Sequence, residues 1–252
     1  MSTSILSSRA SRSRWRSRSI EPAHYCDQMD FAELYRSSHG RVGARVAGLA
    51  PAQLAATVPG TPLWSVADLV AHVTGVASDA LHSWLAAAGA PERTAAQVVQ
   101  RAGRPIAEVL DEWRECAAKL DPVGEPGVVR DLLIHEADLS GALGVADAPP
   151  AEAVAWVLDF ALGDLGRRID EAGLAGLRIA LDREERIVGQ MAPGRTLVAP
   201  SWELFRSLAG RRSLAQVRRY AWEGDPDPYL AIWNRYGQLP VDDIIEGPLL
   251  AP

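Results

Sequence analysis

Apolar residues recur at helical spacing up to Gly173, and beyond it the spacing changes to alternation. Phe31–Leu49 carries a first helical stripe, closed before Pro51, and a linker containing Pro59-Gly60-Thr61-Pro62 follows. Ser65-Val66-Ala67-Asp68 has the Ser-x-x-acid form of a capping box, in which hydroxyl and carboxylate satisfy the first free N–H groups of a helix. It predicts a helix running to Trp84 or Ala88. Val66, Leu69, Val70, Val73, Ala77 and Ala80 form its buried stripe, with His72 on the shoulder. Thr94–Leu120 reads as a third long helix that Pro105 kinks or divides. A fourth begins near Gly127 and stops at Gly144; a fifth covers Ala151–Ala172, with Gly173 as its C-cap. Such a run of long helices with short connections predicts an up-and-down bundle.

After Gly173, Leu177, Ile179 and Leu181 alternate with Arg178, Ala180 and Asp182, as in a half-buried strand. Arg186–Gln190 and Thr196–Val198 read as further strands, and Trp202–Ala209, Leu214–Trp222 and Pro228–Trp233 as helices. The expected architecture is a helical bundle over residues 29–173 followed by a small α+β domain over residues 174–252.

The fourth helix places polar groups on its apolar face. Val128, Leu132, His135, Leu139 and Ala142 share one narrow stripe, with Asp131 at its edge. An Asp/His pair at i, i+4 projects its ligand atoms toward the same point in space. A buried carboxylate without a partner costs several kcal/mol, roughly. The partner is either another side chain, giving a hydrogen-bonded core histidine, or a metal ion, and the spacing leaves both readings open. Asp138 either orients the imidazole of His135 or is a solvated helix-face carboxylate. Arg130 is expected to pair with Asp131 or Asp138, Glu136 to lie on the surface, and His82 likewise. His24 and His39 have no identifiable partner.

Composition narrows the function classes. Hydrophobic content of 48% with 23% charged residues suits a protein with a real core. The formal charge of −6 argues against general affinity for nucleic acid. No apolar stretch approaches the ~20 residues of a membrane span. Cys26 and Cys116 form no metal or redox motif, consistent with free thiols in a reducing cytoplasm. Residues 1–19 hold five arginines, many serines and no acid, without the apolar run of a signal peptide. Residues 1–28 are therefore expected to be a disordered basic tail.

Three segments occur in order between Met29 and Trp233: Leu63-Trp64-Ser65-Val66-Ala67-Asp68-Leu69-Val70-Ala71-His72, Arg130-Asp131-Leu132-Leu133-Ile134-His135-Glu136-Ala137-Asp138-Leu139, and Ser201-Trp202-Glu203-Leu204-Phe205-Arg206-Ser207-Leu208-Ala209-Gly210-Arg211-Arg212, with Trp222-Glu223-Gly224-Asp225-Pro226 after them. They resemble the mycothiol-dependent maleylpyruvate isomerase family, whose N-terminal part is similar to the four-helix DinB superfamily. The resemblance implies a divalent metal, zinc in the first instance, on His72, Asp131 and His135. Such a mixed set also suits Ni, Fe or Mn. Some relatives carry Glu where this chain has Asp131, so the carboxylate here stands about one methylene further from the metal. Two histidines and one carboxylate leave a coordination position open, as in catalytic zinc sites.

The implied cosubstrate is mycothiol, since neither Cys26 nor Cys116 is placed to supply the sulfur. The implied reaction is isomerisation of, or thiol transfer to, a small electrophilic and carboxylate-bearing substrate. Arg211, in the family's motif, is the expected catalytic cation, reaching across the domain interface to an anion; a surface Arg at a helix end is the alternative. Arg212 is expected to face away. Two other classes remain: a non-catalytic metal-binding or regulatory protein of the DinB superfamily, and a nucleic-acid partner acting through the tail, which the acidic body disfavours.

Overall fold

The computed structural model describes residues 17–19, 29–82, 90–120, 126–146, 149–182 and 184–247. Its helices are α1 (Phe31–Ala47), α2 (Pro51–Leu54), α3 (Val66–Leu81), α4 (Pro91–Val99), α5 (Ile106–Lys119), α6 (Pro126–Leu143), α7 (Ala151–Glu171), α8 (Ser201–Leu208), α9 (Leu214–Arg218) and α10 (Asp227–Leu230). The strands are β1 (Ser17–Ser19), β2 (Gly176–Ala180), β3 (Glu185–Val188), β4 (Pro193–Val198) and β5 (Ala221–Glu223).

The bundle is built from α1, α3, α5 and α6, in which α3 packs on α5 and α6, and α1 on α6 and α5. Asp30 caps α1 by accepting from the Glu33 N–H at 2.8 Å. The capping box forms as expected: Ser65 N–H donates to Asp68 Oδ2 at 2.9 Å and Asp68 N–H to Ser65 Oγ at 3.1 Å. Pro105 divides the third helical segment instead of kinking it, because α4 ends at Val99 and α5 starts only after the proline. The linker contains one element the apolar pattern does not show, the single turn α2, started by Pro51 at its first position.

Helix α6 differs most from its expected form. Residues from Leu132 through Gly141 are buried without interruption, so this stretch of the helix has no solvent face. It is the axis of the molecule, contacting α1, α3 and α7. Glu136, expected at the surface, is 1% exposed and accepts from Ser38 Oγ at 2.6 Å and from Arg41 Nη2 at 2.9 Å, both on α1. A stripe analysis assumes one solvated side, and an all-round buried helix violates that assumption.

The sheet has the order β1-β3-β2-β4-β5. β2 is antiparallel to β3 and parallel to β4, and β5 is antiparallel to β4. Helix α7 packs on β2, β3 and α8 as well as on α6, so one hydrophobic core runs continuously past Gly173. Two expectations change here. Leu214–Trp222 is not one helix: α9 stops at Arg218, and Ala221–Glu223 pairs with Thr196–Val198 as an edge strand. Within the tail, Ser17–Ser19 pairs in parallel with Glu185–Ile187 at the opposite edge, where the composition predicts no structure; the rest of residues 1–28, His24 and Cys26 included, lies outside the described residues. No helix among the described residues is long and apolar enough to cross a membrane.

Candidate metal centre

His72 on α3 and Asp131 and His135 on α6 converge, each offering one ligand atom, with all three atoms within 4.8 Å of one another. His72 Nε2 is 3.5 Å from Asp131 Oδ2, and His135 Nε2 is 3.7 Å from Asp131 Oδ1. The imidazoles stand edge to face with centroids 4.8 Å apart. Both rings therefore present Nε2 to the same space, which the i, i+4 spacing on α6 and the contact between α3 and α6 together create.

The opposite ring nitrogens are tied back. His72 Nδ1 lies 2.8 Å from Gln97 Oε1, an acceptor, so this nitrogen donates and Nε2 is the one turned toward Asp131. Gln97 is itself held by donating to Asp79 Oδ2 at 2.7 Å, and Arg93 donates to the same oxygen at 2.7 Å. Gly75 admits this relay: a Cβ there would stand 2.5 Å from Gln97 Cβ. His135 Nδ1 lies 2.9 Å from Asp138 Oδ2, close but not aligned as a hydrogen bond. Asp138 is fully buried and held by Arg206 and Arg211, with Arg211 Nη2 donating to Oδ2 at 2.7 Å and Nε to Oδ1 at 3.1 Å. Metal-bound histidines commonly have their second nitrogen fixed in this way.

Charge states suit cation binding. Burial raises the Asp131 carboxyl, but the neighbouring His135 and His72 and the Arg211 charge outweigh it and bring it down to about 2. Burial lowers His135 below its ordinary value, against the pull of Asp131 and Asp138, so its imidazole is neutral near pH 7. Burial would raise Asp138, yet Arg211 and Arg206 hold it well below the usual carboxylate range. Two atoms of the site lack a hydrogen-bond partner, His135 Nδ1 and the enclosed Asp131 Oδ2. A buried carboxylate oxygen in that condition, beside two imidazole Nε2 atoms, fits a divalent cation.

The indole of Trp64 covers both histidines, at centroid distances of 4.8 Å to His72 and 5.8 Å to His135. It is set there by the loop between α2 and α3, which closes through Val58 N–H to Trp64 C=O at 2.9 Å. Gly60 in that loop approaches the second brace so closely that a Cβ would lie 2.7 Å from Asp138 Oδ1.

His72, Asp131 and His135 are thus brought together as expected, and Asp138 is not a solvated helix-face carboxylate: it is fully buried behind His135. Arg211 does reach across to α6, but the anion it meets is Asp138. Arg212 does not face away: it is buried and paired with Glu203 at 2.7 Å and Glu246 at 2.8 Å. Arg130 pairs with neither aspartate and instead stacks 3.7 Å above the Phe160 ring. His82 sits exposed at the end of α3, and His39 packs against Tyr35 and Trp113. Gln97, Arg206, Glu246 and Trp64 escape sequence reasoning. Trp64 and Arg206 stand inside quoted motifs, whereas Gln97 and Glu246 carry no sequence signal and are placed by tertiary contact alone.

Comparison with known proteins agrees with this geometry. Residues 35–123 match the family model described as the mycothiol maleylpyruvate isomerase N-terminal domain, which bears out the family resemblance and contains the first of the three motifs. That span includes His72 and ends before Asp131. Among solved structures, a histidine-to-alanine mutant of the mycothiol-dependent maleylpyruvate isomerase aligns with a TM-score of 0.56 at 14% identity, over 79% of this chain and 95% of that one. A second structure of the mycothiol-dependent maleylpyruvate isomerase gives 0.55 at 15% identity, over 74% and 91%. At such identity these alignments show the shared fold, bundle and α+β part together. No curated protein matches the sequence.

Proposed function

We propose that this chain holds one divalent metal, zinc, on His72, Asp131 and His135, and uses it with mycothiol to isomerise, or transfer the thiol to, a small electrophilic acid. The observation that carries the reading is the convergence of two imidazole Nε2 atoms on a carboxylate whose Oδ2 has no hydrogen-bond partner. The family match of residues 35–123 supports a mycothiol-dependent isomerase in general terms. The metal would supply one thing, a lowered pKa for a coordinated thiol, so that the nucleophilic thiolate exists near neutral pH.

The chain's own residues do the rest. Gln97 orients the imidazole of His72 through a hydrogen bond, and the Asp138 carboxylate stands 2.9 Å behind His135 Nδ1. Trp64 shields the imidazoles from water on one side, which strengthens the electrostatic interactions among them. Arg211 acts as a positioning residue through Asp138, while its N–H groups that face neither Asp138 nor Ala209 remain for a substrate carboxylate. Cys116 offers no alternative sulfur: burial raises its thiol pKa, which keeps it protonated. A free-thiol cosubstrate needs a reducing compartment, which fits a cytoplasmic enzyme.

The test is elemental analysis of gently purified protein together with thiol consumption in the presence of maleylpyruvate-like electrophiles. The expected result is about one metal per chain and turnover that requires both metal and mycothiol. Metal-free protein that takes up none on titration would refute the reading.

A further inference from the structure

Residues 240–247 form a strap that runs from α9 to the C-terminal end of α6. Pro240 C=O accepts from Leu214 N–H at 3.1 Å. Gln216 grips Ile244 twice, its Nε2 donating to the C=O at 2.9 Å and its Oε1 accepting from the N–H at 3.0 Å. Asp243 Oδ2 accepts from Arg219 Nη2 at 2.7 Å, and at the far end Gly247 N–H donates to Gly141 C=O at 3.0 Å. Two glycines make room for this docking. A Cβ at Gly141 would stand 3.1 Å from Glu246 Cβ, and Gly144, just past α6, is the close neighbour of Gly247.

Along the strap the usual order of burial is inverted. Ile244 is buried, but Val241 and Ile245 are 89% and 82% exposed, while the Glu246 side chain is 4% exposed. Burying a carboxylate is costly unless it is paired, and apolar contacts in place of such pairs are often neutral or stabilising. Stability alone therefore does not account for a segment that turns its acid inward and two aliphatic side chains out. Nor do the arginines require it for neutrality, because Arg206 already meets Asp138 and Arg212 already meets Glu203. What Glu246 meets is specific. Its Oε2 accepts from Arg206 Nε at 3.2 Å and from Arg212 Nη1 at 2.8 Å, and its Oε1 from Arg206 Nη2. The same Nη2 donates to Asp138 Oδ1, and Asp138 Oδ2 stands 2.9 Å from His135 Nδ1. Glu203 is the contrasting case: its carboxylate accepts from Arg212, at 2.7 and 2.8 Å, and from Tyr220, but not from Arg206.

We propose that Glu246 is a positioning residue for the metal centre: it fixes the Arg206 guanidinium, which in turn fixes the Asp138 carboxylate behind His135. The strap thereby ties the direction of one imidazole to the docking of residues 240–247. His72, braced by Gln97 within the bundle, stands outside the path. That the imidazole so held binds a metal rests on the function proposed above; its positioning by Glu246 does not.

The experiment compares full-length wild type with three variants. Glu246→Gln keeps the shape and removes the charge, Gly141→Ala crowds Glu246 without touching an arginine, and Glu203→Gln is the control. Long-range proton–nitrogen NMR spectra of the histidine rings are recorded on chelator-treated protein, with His72→Ala and His135→Ala for assignment, and zinc affinity is measured by competition with a chromophoric chelator. In Glu246→Gln the His135 ring nitrogens are expected to shift while those of His72 stay, and zinc affinity to fall about tenfold, as for other outer partners of metal ligands. Gly141→Ala should move the same signals, and it decides the question if Glu246→Gln does not fold. Glu203→Gln should move neither ring, whatever it costs in melting temperature. The proposal is overturned if His135 is unmoved in the folded variants, if His72 moves as far, if Glu203→Gln has the same effect, or if zinc binds wild type and Glu246→Gln equally. Wild type that takes up no zinc would refute the metal reading instead, and the ring spectra would still decide the role of Glu246.

Discussion

The two histidines of the candidate metal centre are braced by opposite means. His72 leans on a neutral amide, Gln97, and the relay from it to Asp79 and Arg93 stays within α3 and α4. His135 leans on a carboxylate, Asp138, clamped by Arg206 and Arg211 from the second half of the chain. Glu246, near the chain's end, then bridges Arg206 and Arg212. One brace is local and built within the bundle. The other closes only when residues more than sixty positions apart have docked, so the α+β part completes a site whose ligands all lie in the bundle. A carboxylate behind an imidazole makes it a more basic ligand than an amide does, so the histidines should contribute unequally to metal affinity.

The largest expected difference follows from the charges. Asp138→Ala leaves Arg206, with no exposure at all, short of one of its two carboxylate partners and Arg211 of its ion pair. Breaking a buried pair by removing one partner costs about 3–5 kcal/mol. Chemical denaturation should show a loss of that size, and a loss below about 1 kcal/mol would mean that the clamp is not part of the fold's stability. Next in size is metal removal. Bound metal at about 100 times its dissociation constant adds ~2.7 kcal/mol to the native state. Chelator should therefore lower the melting temperature of the wild type toward that of His135→Ala and leave the variant nearly unmoved. Equal shifts in both proteins would remove the metal from this site.

The neutral brace should give less. Gln97→Leu keeps the bulk near Gly75 but leaves His72 Nδ1 and Asp79 without the amide between them. Loss of such an outer partner commonly weakens metal affinity about 10–100-fold. A competition titration with a chromophoric chelator should place Gln97→Leu in that range, with stability reduced by about 1–2 kcal/mol. If it matched Asp138→Ala in stability, the contrast between the two braces would fail.

The ligands were legible in the sequence, and the braces largely were not. His72, Asp131 and His135 could be read because helical spacing and three ordered motifs specify them, and Asp138 because it lies one turn after His135. Gln97 is invisible because it becomes a partner only through the close packing of α4 on α3 at Gly75. Arg212 reads as facing away and Arg206 carries no signal of its own, since arginine is rarely buried, and only the joint presence of Asp138, Glu203 and Glu246 makes their burial tolerable. The same physics hid Glu136, whose burial depends on Ser38 and Arg41. Helix boundaries marked by Ser65 and Pro105 were legible because such signals are local. The edge strands β1 and β5 were not, because three-residue strands are defined by their neighbours.

The smallest expected effect separates the braces by their response to acid. In metal-free protein His135 has a folded-state pKa below its ordinary 6.5, mainly through burial, so the unfolded chain takes up a proton first as pH falls. Stability contributed by its neutral form is complete above about pH 6.5 and declines below that value, by at most about 1.4 kcal/mol per pH unit for one proton. Asp138 and Asp131 are depressed below the ordinary 3.8, Asp131 to about 2, so the stability they contribute is intact above roughly pH 4 and is lost only below it. The expected curve therefore has a shallow arm starting near pH 6.5 and a steeper one below pH 4. Gln97 has no proton to gain and adds nothing to either arm. Asp138→Asn, which keeps the shape, removes the carboxylate that raises His135 and should deepen the shallow arm while flattening the steep one. Denaturant melts of wild type and Asp138→Asn from pH 7.5 to pH 3, with chelator present throughout, measure both arms. A variant curve parallel to the wild type over the whole range would show that Asp138 is not the charged brace of His135.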